Sequence, residues 1–141
     1  MKSFGIFILV LILGLGLGIA AFLLLPAKTD QTETQVEVVR LFSPAPNSII
    51  TSPLTLTGEA RGYWYFEASF PVRVLDANGN ELGAHYLMAT SEWMTTEMVP
   101  FSGEISFKPS ATDTGFLVLQ KDNPSGLPEH DQEVRYPIRF R

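Results

Sequence analysis

Tyr63-Trp64-Tyr65-Phe66, with Trp93 downstream, is the part of this 141-residue chain best equipped to touch another molecule. Large flat rings with a polar edge stack on sugar rings or anchor protein contacts. Side chains alternate along a strand, so a register that sends Trp64 and Phe66 into a core turns Tyr63 and Tyr65 outward. Tyr63, Tyr65 and Trp93 are therefore the expected ligand-binding residues, for a protein or an envelope polysaccharide. The competing explanation is that aromatic residues pair across strands and only stabilise the sheet.

A second group offers oxygen ligands. Asp122 and Asn123, then Glu129 and Asp131, bracket a Pro- and Gly-rich stretch and could surround one calcium ion. Their spacing is not that of an EF-hand loop, and Asp and Asn also make local turn bonds in solvated loops. Calcium is the only cofactor these residues suggest. His85 and His130 stand far apart in a chain without cysteine, so a zinc site would need carboxylates to complete it. Ser125, His130 and Asp131 contain the residue types of a hydrolytic triad, but no Gly-x-Ser-x-Gly elbow presents the serine. No catalytic residue is expected, and the chain does not read as an enzyme.

These groups need strands to hold them. Period-two alternation runs from Trp64 to Val74, with Trp64, Phe66, Ala68, Phe70, Val72 and Val74 on one face. It returns from Val134 to Phe140, where Val134, Tyr136, Ile138 and Phe140 oppose Arg135, Pro137, Arg139 and Arg141. Leu54 and Leu56 form a shorter inward set, as do Leu82, Ala84, Tyr86 and Met88, and Phe101, Gly103, Ile105 and Phe107. Phe116-Leu117-Val118-Leu119 is apolar on both faces, as a central strand would be. Pro71 and Pro137 suggest edge strands or bulges. Asn78-Gly79 supplies a tight turn, while Pro-rich stretches at 43–47 and 122–128 break the chain. About seven short strands and no helical period after Pro26 predict an all-β, immunoglobulin-like, two-sheet β-sandwich over residues 36–141.

Several stretches, in order, carry a resemblance: Ser43-Pro44 with Ser52-Pro53-Leu54, Leu56-Thr57-Gly58-Glu59-Ala60-Arg61-Gly62, Phe66-Glu67-Ala68, Val74-Leu75-Asp76-Ala77-Asn78-Gly79 and Pro100-Phe101-Ser102. Gly115 to Leu119 and Val134-x-x-Pro137-Ile138 continue it. The chain resembles, over nearly all of residues 38–140, the bacterial immunoglobulin-like domain associated with GerMN modules in spore-germination proteins. The resemblance implies an immunoglobulin-like sandwich in an extracytoplasmic bacterial protein, acting as a binding or accessory module. The GerMN module itself does not accompany the domain in this chain.

Upstream, Phe4 to Leu25 is an unbroken apolar run flanked by Lys2 and Lys28. Its 22 residues would make a helix of about 33 Å, enough to span a bilayer core. Its length exceeds that of a cleaved signal's apolar stretch, so residues 1–28 read as a single-pass signal-anchor. The short N-terminal stub and large β-rich remainder place the N-terminus inside and the domain outside, at the cell membrane. Gly14 and Gly18 lie four apart, the spacing at which two membrane helices approach closely, and so offer a route to a homodimer. Residues 29–35 are uniformly polar and read as a tether. Of the 10 basic residues, Lys2 and Lys28 precede the tether, leaving 8 against 15 acidic residues, a net charge of −7. That balance argues against nucleic acid as a partner and against adhesion to anionic headgroups. Two rival roles accompany the binding module: a structural subunit assembled through the anchor, and a calcium-stabilised adhesin.

Overall fold

The computed structural model describes residues 37–141, and the expected membrane helix, the tether, Gly14 and Gly18 lie outside these described residues. Among the described residues no helix is long and apolar enough to cross a membrane. Seven strands follow one another: β1 (Val39–Ser43), β2 (Leu54–Arg61), β3 (Ser69–Asp76), β4 (Glu81–Ala89), β5 (Met98–Ile105), β6 (Thr114–Gln120) and β7 (Glu133–Arg139). Two short 3₁₀ turns, Gly62–Trp64 and Pro128–His130, interrupt them.

All seven strands belong to one antiparallel sheet, in the order β1-β2-β5-β4-β3-β6-β7. This corrects the expectation of two separate sheets. The groups β1-β2-β5 and β4-β3-β6-β7 are joined where Met88 and Ala89 of β4 pair with Ser102 and Phe101 of β5. The sheet curls until the segment that follows β1 meets β7. After β1 the chain breaks at its Pro-rich stretch, turns through Asn47 in the left-handed region, and runs parallel to β7. There Asn47 N donates to the Pro137 carbonyl at 2.7 Å and Ile50 N to that of Arg139 at 2.9 Å. The result is a nearly closed barrel around one core, to which every strand contributes: Val39, Leu56, Phe70, Leu87, Phe101, Leu117 and Ile138 are each enclosed.

Most of the expected alternation is present. Ile138 is buried, Val134, Tyr136 and Phe140 are half-buried, and Arg135, Pro137, Arg139 and Arg141 are exposed. Phe101 and Ile105 face the core, and β6 is paired on both sides. Pro137 lies in β7, at the end of the sheet order. Pro71 lies in an interior strand, but pairing with β6 begins only at Val72, so no ladder bond from its nitrogen is missed.

The inward set of Leu82, Ala84, Tyr86 and Met88 is not observed. Val74 pairs with Gly83 and Leu75 with Glu81, so Leu82 is an extra residue, a bulge. Leu82 still packs on the core, but beyond it the faces exchange: Leu87 is buried, while Ala84, Tyr86 and Met88 are exposed.

The β3–β4 turn is organised by Asp76. Its Oδ1 accepts from Asn78 N at 2.9 Å and Asn80 N at 2.8 Å, its Oδ2 accepts from Asn80 Nδ2 at 2.9 Å, and Gly79 supplies the positive φ. The Asn80 amide, aided by the backbone N–H groups, holds the carboxyl below its ordinary range. A depressed folded value stabilises the fold above the unfolded pKa and loses that contribution as the pH falls. Asp76→Asn should therefore lower the Tm at neutral pH and flatten its decline below about pH 4. Thermal melts across the acid limb check this; parallel curves for the two proteins would refute it.

Candidate functional site

Three loops gather at one end of the barrel. β2 ends there, β3 and β5 begin there, and β4 and β6 end there, which brings together residues 62–68, 90–97 and 121–132. Gly62 N donates to the Glu97 carbonyl at 3.0 Å. A Cβ at Gly62 would lie 1.9 Å from the Thr95 oxygen and 2.4 Å from that of Trp93, so the second loop closes over this position only because it is glycine. Asp122 N donates to the Trp64 carbonyl at 3.0 Å and draws in the third loop. Fully buried Trp64 sits beneath this cap, with its ring perpendicular to Phe70.

The long strand expected from Trp64 to Val74 is broken within this cap. Glu67 and Ala68 take positive φ values of 49° and 64°, and Phe66 and Ser69 exchange backbone hydrogen bonds at 2.9 and 3.1 Å. This tight turn, preceded by the 3₁₀ turn, exchanges the two neighbouring rings. Tyr65, expected outside, is buried: its hydroxyl donates to the Val99 carbonyl at 2.7 Å and its ring meets Phe70 edge-on. Burial pushes its phenol pKa upward. Phe66, expected inside, is exposed. The cap therefore presents Tyr63, Phe66, Met94 and Leu127, with Met94 the most open at 74 % exposure, while Trp93 of the second loop is half-buried and packs partly against the core. Of the three expected ligand-binding residues, Tyr63 and Trp93 lie at this surface and Tyr65 lies beneath it.

The acidic residues share this end without forming a cage. Asn123 Nδ2 donates to Asp131 Oδ1 at 2.7 Å and to the Leu127 carbonyl at 2.9 Å. Burial, with the Glu67 charge adding to it, raises the Asp122 carboxyl pKa. Glu129 is exposed in the second 3₁₀ turn. Among the described residues no three His, Cys, Asp or Glu side chains converge as a metal site requires. Ser125 Oγ donates to Asn123 Oδ1 at 2.5 Å and accepts from Leu127 N at 3.2 Å, so its bonds run within the loop and not to His130. His85 lies exposed on β4.

The sequence reading misses a second surface. Leu75 and Val118 are buried but stand apart from the core cluster. Val118 is paired with Arg73 and Arg135, and Leu75 with Phe116, so both lie on the outer face of β4-β3-β6-β7. Around them are exposed Tyr86, Met88, Phe116 and Pro137. Tyr86 pairs with Pro71 and Met88 with Ser69, which fixes them on this face. Glu133 accepts from Arg73 at 3.3 Å and from Arg135 at 2.7 Å, a charged chain across an otherwise apolar face.

A family model for the immunoglobulin-like domain of bacterial spore germination matches residues 38–127. The chain belongs to this family. The match covers β1 to β6 and most of the cap, while β7, where the resemblance continues through Pro137 and Ile138, follows it. No curated protein and no solved structure matches the chain.

Burial separates the two tyrosines energetically. Tyr65→Phe removes a buried donor from the Val99 carbonyl and should cost about 1–2 kcal/mol. Tyr63→Ala, at the surface, should change stability by about 0.5 kcal/mol or less. Urea unfolding of both variants measures the difference, and a larger loss at Tyr63 would contradict the exchange of faces.

Proposed function

We propose that this protein is a non-catalytic binding module, anchored by its N-terminal apolar run, with the immunoglobulin-like domain outside the cell membrane and engaging a protein partner. The observation that carries the reading is the uncovered outer face of β4-β3-β6-β7, where Tyr86 and Met88 are about half exposed at 52 % and 49 %. Tyr, Met and Arg are the residue types enriched at protein interfaces, while Lys and Glu are depleted there. Arg73, Arg135 and Arg139 project on the same side of this sheet, within a domain whose overall charge is acidic. Their sign favours an acidic protein surface as the occupant. Family membership supports a binding or structural role, and the loop-internal bonds of Ser125 support a role without catalysis.

Site-specific photocrosslinking of the full-length protein in its native membrane tests this. A photoreactive residue at position 86 should yield an adduct of discrete mass with a protein, and Arg73→Glu should abolish it. The same probe at Thr55, exposed on β2, should yield none. Equal labelling from both positions would refute a specific face. Material from position 86 that sediments with cell-wall sacculi would replace the protein partner with an envelope polymer.

A further inference from the structure

The aromatic cap and the start of the described chain lie at the same end of the barrel. β1 runs antiparallel to β2, with Val39 opposite Ala60, and Arg61 N donates to the Val38 carbonyl at 2.9 Å. Glu37 and Val38 therefore stand beside the 3₁₀ turn that carries Tyr63. Eleven residues, 26–36, separate Glu37 from the end of the apolar run at Leu25. Even fully extended, they reach no more than about 40 Å. The opposite end of the barrel, with the Asn78-Gly79 turn, is about 26 Å farther along the eight residues of β2, so it meets the bilayer only if the linking residues extend back along the whole barrel, whereas the cap needs no such extension.

We infer that the cap is a membrane-contact surface: Tyr63, Phe66, Trp93, Met94 and Leu127 rest in the headgroup layer of the bilayer that holds the chain. This deepens the proposed function and rests on its reading of Phe4–Leu25 as a membrane anchor. Tyr and Trp favour the boundary between headgroups and acyl chains, where a ring can be wet on one side and dry on the other. The apolar tips occupy three loops at one end of the barrel, tied to one another by the Gly62–Glu97 and Asp122–Trp64 backbone bonds. A few exposed side chains bind lipid weakly from solution, but anchoring makes their contact intramolecular and raises the effective lipid concentration.

Charge defines the lipid. Glu67, Glu92, Glu97, Glu129 and Asp131 are exposed around the cap, against half-buried Arg61 and Lys121. An acidic rim repels an anionic surface, so the contact favours zwitterionic headgroups and weakens as anionic lipid is added. Salt screens this repulsion and restores the contact.

The test uses the full-length chain in vesicles of zwitterionic lipid brominated at the top of its acyl chains, directly beneath the headgroups, where the bromines quench tryptophan by contact. Trp64 is enclosed, so the quenched emission should belong to Trp93 and disappear in Trp93→Phe. Met94→Asp, which leaves Trp93 in place, should reduce the quenching, and so should replacing part of the lipid with an anionic one. Flotation of the same vesicles reports the anchor separately. Protein that floats without quenching overturns the membrane contact and leaves the anchor standing. Protein that fails to float overturns both.

Discussion

Phe70 is the residue on which the cap and the joining of the two halves of the sheet depend. Three rings meet it edge-on: Trp64 at 6.0 Å between centroids, Tyr65 at 5.0 Å and Phe101 at 5.2 Å. Such contacts add to burial because the positive edge of one ring meets the negative face of another. Phe101 belongs to β5 and Phe70 to β3, so the cluster clamps the two halves of the sheet near their short β4–β5 junction. Trp64 and Tyr65 belong to the segment between β2 and β3, so the same cluster fixes the cap. Gly58 permits this packing, since a Cβ there would lie 2.5 Å from the Phe101 ring. Burying a phenylalanine contributes roughly 1.5–3 kcal/mol by transfer alone. Here it also sets which aromatic residues remain outside.

From that arrangement the domain acquires two surfaces of different character. The cap is a cluster of apolar tips with an acidic rim, at the end where the described chain begins. The outer face of β4-β3-β6-β7 is broader, with apolar side chains and arginines held by Glu133. The edges contribute little to recognition: β7 is covered along one side by residues 47–50, and Tyr136 donates to the Val39 carbonyl at 3.3 Å. This closure leaves few free backbone groups to recruit another strand.

How far the sequence disclosed this depends on whether the deciding event is a side-chain pattern or a backbone one. β7 was legible residue by residue, because strict alternation reports a half-covered strand without interruption. The Asn78-Gly79 turn was legible because glycine there serves a conformation that other residues resist. By contrast, Glu67 and Ala68 enter the left-handed region with no Gly or Asn to announce it, and the tertiary packing of Trp64 and Tyr65 around Phe70 overrides their local preference. The bulge at Leu82 was equally silent, since one unpaired residue inverts a face without altering composition. These two events displaced Tyr65 from the candidate site and brought Tyr86 and Met88 into view. The joining of two expected sheets into one rests on two residue pairs, too few to leave a period in the sequence.

The proposed membrane contact gives the domain one orientation, with the cap toward the bilayer and the outer sheet face free. That orientation can be measured by NMR on the full-length protein in zwitterionic nanodiscs carrying a paramagnetic headgroup lipid. Within residues 37–141, broadening confined to amides of residues 37–38, 62–67, 92–95 and 125–127, with those of Asn78 and Ser110 at the opposite end unaffected, is the predicted result. Uniform broadening, or broadening centred on Asn78 and Ser110, would contradict it.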